Sequence, residues 1–192
     1  MADSLERLFG SATRVKLLRL FLFNPRQSFS ISDVVSRARV PVQNAHKEIE
    51  LFLRVGLVRR SKRGHTRRFV LRDDFKYLST LQALLLNAPA RGEDILRRLR
   101  TAGGTKFVAL SGIFVGDWDR TLDLLVVGDR VSERKLKSQI RRLESELGKE
   151  LRYAFLSSKD FIYRLNMNDK LLRDVLDYTH RIVLDRINTG LK

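Results

Sequence analysis

At 192 residues, 43% hydrophobic, the chain is long enough for one large or two small cored domains. It contains no cysteine, which excludes disulfides, thiolate metal sites and a cysteine nucleophile, and its formal net charge is +16. Residues 1–80 hold 17 Lys and Arg against 7 Asp and Glu, so the excess is concentrated towards the amino end and nucleic acid is the first class of partner to consider.

Ser11 is placed to cap a helix in which Val15, Leu18 and Leu22 recur at helical spacing until Asn24-Pro25 stops it. A short helix is predicted over 32–38 with Val34 and Val35 inward. A third is predicted over 42–55, with Ala45, Ile49, Phe52 and Val55 on one face and Gly56 after its end. The outward positions near its start are Gln43, Asn44, His46 and Lys47, side chains suited to base edges and phosphates.

Residues 57–71 read as two short strands around a turn at Gly64, with Val58, Phe69 and Leu71 as the apolar face. The hairpin carries Arg59, Arg60, Lys62, Arg63, His65, Arg67 and Arg68, a density that is costly by self-repulsion unless an anion neutralises it. Three helices followed by a basic hairpin resemble a winged helix-turn-helix. That resemblance implies that the third helix enters the major groove of double-stranded DNA and the hairpin lies along the backbone.

A helical connector is predicted over 74–86, and the Pro- and Gly-containing stretch 87–93 is the best break between domains 1–87 and 94–192. Beyond it the pattern predicts a helix over 94–100, strands over 107–110 and 122–127, a helix over 132–147 and a strand over 150–156. Helices over 158–165 and 169–187 complete the chain, the last with Leu171, Leu172, Val175, Leu176, Ile182 and Val183 as its apolar positions. The fold class expected is α+β in two domains.

Residues 110–128 resemble the active-site segment of minimal nucleotidyltransferase domains of the DNA polymerase β superfamily, and the whole order resembles regulators that join a winged helix to such a domain. Active members carry Gly-Ser after one strand, Asp-x-Asp at the start of the next and a third carboxylate on a later strand. Two carboxylates one residue apart on a strand face the same side and hold a divalent metal. Here Gly112 keeps the glycine, Ile113 replaces the serine, Thr121 replaces the first aspartate and Asp123 keeps the second, while the later strand offers Arg152 and no acid in its middle. The reading is therefore of a vestigial site, with no catalytic residue, metal ligand or cofactor assigned. His46, His65 and His180 lie in separate segments, which argues against zinc.

The expectation is a cytoplasmic, dimeric, sequence-specific transcriptional regulator that uses its second domain for dimerisation or for sensing a nucleotide or other small-molecule effector, with no membrane association. Two alternatives stand beside it. One is an active nucleotidyltransferase modifying a protein or small molecule through Asp123 with Asp117 or Asp119. The other is an antitoxin-like autorepressor whose second domain binds a toxin partner.

Overall fold

The computed structural model describes residues 4–61, 66–86 and 92–191. It is of mixed α+β class and divides into two compact units, Met1–Ala88 with Arg142–Glu150, and Pro89–Arg141 with Leu151–Lys192. Among the described residues no helix is long and apolar enough to cross a membrane.

The first unit opens with α1 (Ser4–Leu8) and α2 (Ala12–Leu22). The Ser11 hydroxyl accepts the Arg14 backbone N–H at 3.0 Å, satisfying one of the orphan donors of the first turn of α2. Strand β1 (Ser28–Ser30) leads directly into α3 (Ile31–Ala38), where Ser30 and Asp33 form a reciprocal capping box. Arg39 ends α3 in the left-handed region at φ 51°, and α4 (Val42–Arg54) follows the short link Val40-Pro41. β2 (Val58–Ser61) and β3 (Arg68–Leu71) complete an antiparallel sheet of order β1-β3-β2.

The core of this unit is made by α2, α3 and α4 with one face of the sheet. Phe21 meets Phe29 and Phe52 edge to face, with ring centroids 5.5 and 6.3 Å apart. Each such fully buried ring contributes about 1.5–3 kcal/mol by leaving water. Val58, Phe69 and Leu71 are buried as the strand alternation predicts. α5 (Leu78–Leu86) starts four residues later than the pattern suggests, because Asp74 is held outside the helix by a two-pronged pair with Arg72. Residues 142–150 close the unit: Arg19 donates to the Glu146 carbonyl at 3.0 Å, and Asn24, at the end of α2, donates to the Gly148 carbonyl at 2.7 Å.

The second unit contains α6 (Gly92–Arg100), β4 (Thr105–Leu110), a 3-10 turn over Gly112–Val115, β5 (Leu124–Gly128) and the start of α7 (Glu133–Leu147). It continues with β6 (Tyr153–Leu156), α8 (Ser158–Asn166), α9 (Lys170–Leu176) and β7 (Arg181–Asp185). Its sheet has the order β6-β5-β4-β7, with β5 and β6 parallel and the other neighbours antiparallel. β5 is buried along its whole length, consistent with the continuous Leu-Leu-Val-Val run of a strand covered on both faces. On one of those faces Phe107, Ala109, Leu125 and Val127 pack with Phe161, Leu172 and Val175.

The end of the chain departs from the sequence reading. The helix predicted over 169–187 stops at Leu176, and Arg181–Asp185 instead pairs with β4 as an edge strand. The β-branched Ile182-Val183 pair suits the pleated edge, and the apolar positions that continue the helical spacing are used by the sheet. Asp185 terminates the strand by accepting the backbone N–H groups of Ile187, Asn188 and Thr189.

Candidate nucleic-acid interface and the Asp123 cleft

α4 buries Ala45, Glu48, Ile49 and Phe52, which fixes its rotation. Gln43, Asn44, His46 and Lys47 consequently all stand on the exposed side of its first turns. Glu48, at 4% side-chain exposure, receives Arg14 Nε at 2.8 Å on one oxygen and Arg14 Nη2 at 3.4 Å on the other, so an ion pair from α2 holds the inner face of the same helix.

The basic hairpin is only partly free. Arg59 and Arg60 on β2 and Arg67 before β3 are exposed. Arg68 is engaged internally: its guanidinium donates to the Ser28 hydroxyl and carbonyl and pairs with Asp33 at 2.9 Å, tying β3 to β1 and the start of α3. The backbone N–H of Ser30, then the Ser30 hydroxyl and Arg68, hold the Asp33 carboxyl below its ordinary range. Lys62, Arg63 and His65 lie outside the described residues.

In the second unit the end of β4 and the beginning of β5 converge on Asp123, which has no solvent exposure. One carboxylate oxygen accepts the Ile113 backbone N–H at 3.0 Å and Arg152 Nη2 at 2.8 Å. The other accepts the Arg152 backbone N–H at 2.9 Å and Arg152 Nε at 3.0 Å. A carboxylate offers about four lone-pair directions, so this one is saturated. Gly112 is required beside it: φ is +53°, and a Cβ there would stand 2.2 Å from Asp123 Oδ1. The bond to Asp123 raises the Arg152 pKa further above its already high value.

The neighbouring polar groups are spent in the same way. The Thr121 hydroxyl faces Asp174 at 3.2 Å, and Asp117 pairs with Arg120 at 2.6 Å. Arg120, whose guanidinium also lies 3.7 Å above the Tyr178 ring, holds the Asp117 carboxyl below its ordinary range. Arg152 Nη2 reaches the Trp118 carbonyl as well, at 3.2 Å. Among the described residues no three His, Cys, Asp or Glu side chains gather where one cation could be held. Gly112, Ile113 and Asp123 are therefore brought together, Thr121 points to a different partner, and the position where the resemblance asks for a third acid supplies the guanidinium that pairs with Asp123.

Sequence reasoning identified Arg152 only as a missing acid. Its alternative identity, the partner of a buried aspartate, was available from the pairing of an isolated acid at the start of one strand with an arginine on the strand that follows. No protein-family model, curated protein or solved structure matches this chain.

Proposed function

We propose that the chain is a sequence-specific transcriptional regulator whose first unit binds double-stranded DNA as a winged helix-turn-helix, with α4 in the major groove and the β2–β3 hairpin against phosphates. The observation that carries this reading is the fixed rotation of α4. Its inner face is locked by Ala45, Glu48, Ile49 and Phe52, while Gln43, Asn44, His46 and Lys47 are all exposed at its start. Order and pairing support it further: helix, strand, helix, helix and hairpin, with the short β1 closing the sheet.

The second unit is a nucleotidyltransferase-like scaffold in this reading, serving dimerisation or ligand sensing. The saturated Asp123 carboxylate supports that role over transfer chemistry, because a carboxylate with four donors has no lone pair left to organise a metal–triphosphate complex.

Selection of bound fragments from a random duplex pool at about 150 mM salt tests the proposal, since that ionic strength suppresses non-specific attraction. The expected result is enrichment of one shared sequence, palindromic if the protein acts as a dimer. Binding that enriches nothing and vanishes with salt would overturn sequence specificity. Gln43→Ala or Asn44→Ala then changes the preferred base at one position by about 1–3 kcal/mol. The double change Arg59→Glu, Arg67→Glu weakens all sequences alike and flattens the salt dependence.

A further inference from the structure

The sheet of the second unit has a second end, remote from Asp123, where the start of β4 meets the ends of β5 and β7: Thr105 pairs with Gly128, and Phe107 with Asp185. Along β5 this end lies roughly 15–20 Å from Asp123 at the usual rise of a strand. A cavity of about 720 Å³ opens there. Its charged walls are Arg100 at the end of α6, Lys106 on β4, Asp129 and Arg130 after β5, and Arg186 after β7.

Four cations face one carboxylate, and that carboxylate is already committed. Asp129 pairs with Lys106 at 2.8 Å and accepts the Ser158 backbone N–H at 3.0 Å. Arg100, Arg130 and Arg186 are exposed and make no ion pair among the described residues. Three arginines from three segments thus line one hollow without forming an ion pair, an arrangement that repels itself until an anion enters.

The backbone brings them together at some cost. Arg130 sits at φ 56°, a conformation that side chains other than Gly and Asn rarely adopt. Gly104 passes so close to the Asp129 carbonyl that an added Cβ would lie 1.7 Å from it, and Asp129 N–H donates back to the Gly104 carbonyl at 3.1 Å. This crossing places Arg130 on the rim. The remaining wall is glycine and Thr105, with no aromatic ring on which a base could stack.

We infer that this cavity is a binding site for a di- or triphosphate group, recognised through its oxygens by Arg100, Arg130 and Arg186. Guanidinium forks match phosphate oxygens two at a time, and the volume falls within the range of small-molecule sites, roughly 300–1,000 Å³. The polyphosphate can arrive free or as part of a nucleotide; the cavity grips the shared phosphates. The site lies at the opposite end of the sheet from the Gly112–Asp123 segment and is independent of the DNA-binding reading.

Titration calorimetry of the full chain with inorganic triphosphate at about 150 mM salt tests it, an ionic strength at which diffuse charge attraction is screened within about 8 Å. Saturable binding to one site is expected, weakened roughly tenfold by Arg130→Gly and by Arg186→Ala, the loss of one charge-assisted contact each. Glycine suits the backbone at 130 and position 186 is exposed, so the two variants guard each other against a folding artefact, which thermal melts of both would reveal. Arg59→Glu with Arg67→Glu, in the other unit, leaves the affinity unchanged. Competition by ATP identifies nucleotides as a source of the phosphates, and binding of triphosphate without such competition identifies free polyphosphate; either upholds the site. Non-saturable uptake, affinity indifferent to both pocket substitutions, or pocket substitutions that weaken only duplex DNA would overturn it.

Discussion

Among the described residues each unit buries one carboxylate under an arginine, and the two pairs are built differently. Glu48 has a single partner side chain, Arg14, with one short and one long contact, and Arg14 divides its donors between Glu48 and the Phe9 carbonyl. Asp123 takes a full guanidinium fork and two backbone N–H groups besides, with no exposure at all. The first pair is a brace that sets the rotation of one helix against another. The second consumes every acceptor of a fully buried acid, so it leaves that acid nothing with which to hold a ligand. A buried ion pair is thus informative about function through the acceptors it leaves over, and Asp123 leaves none.

The largest expected effect separates the two directly. Arg152→Ala removes the guanidinium from a carboxylate with no exposure, leaving it only two backbone N–H donors, and is expected to destabilise the second unit by about 3–5 kcal/mol in urea denaturation. Arg14→Ala, whose second contact to Glu48 is long at 3.4 Å and whose partner carboxylate keeps 4% exposure, is expected to cost about 1.5–3 kcal/mol. If the order were reversed, the saturation argument for Asp123 would lose its energetic basis. Arg152→Lys sharpens the point, because an ammonium keeps the charge without the planar fork and is expected to recover only part of the loss.

The smallest effect concerns an exposed pair that serves as the contrast. Lys106 first, and then the Ser158 N–H, lower the Asp129 carboxyl from 3.8 to about 2. A depressed carboxylate favours the folded state once pH is above its unfolded value, and that contribution disappears as pH falls from about 3.8 through about 2. A carboxyl-carbon NMR titration should place the Asp129 midpoint near the lower value, and Lys106→Ala should move it back towards 3.8.

Much of the framework was legible because it rests on local chemistry. Ser11 caps α2, the Ala45, Ile49 and Phe52 spacing gives α4 within one residue of its end, and the alternation of Val58, Phe69 and Leu71 gives the inner face of the hairpin. What escaped depends on partners distant in sequence. β1 is three residues long and exists by pairing with β3 some 40 positions later, from Ser28 opposite Val70 to Ser30 opposite Arg68. Ile182 and Val183 continue a helical spacing and are claimed by β4 instead. The place of residues 142–150 in the first unit rests on backbone carbonyls accepting from Arg19 and Asn24, which no side-chain pattern announces.

The candidate sites divide along the same line. The outward start of α4 follows from helical periodicity, so Gln43, Asn44, His46 and Lys47 could be named together from the sequence. Arg68 could not be told from Arg67 by composition, yet one faces solvent and the other is bound to Asp33. Arg100 reads as one of several cations on a helix face, and its convergence with Arg130 and Arg186 depends on strand register at one end of the sheet.

The crossing of Gly104 over Asp129 has a consequence for how the chain tolerates change. Position 104 admits no side chain, since its nearest obstacle is main chain and its φ of +52° disfavours one as well. The arginine side chains around it are exposed and make no ion pair among the described residues. In a saturation scan scored on protein abundance, position 104 should therefore be intolerant and position 130, at φ 56°, should favour Gly and Asn, while positions 100 and 186 accept most residues, so that a selection sensitive to ligand would reveal the arginines against a quiet background.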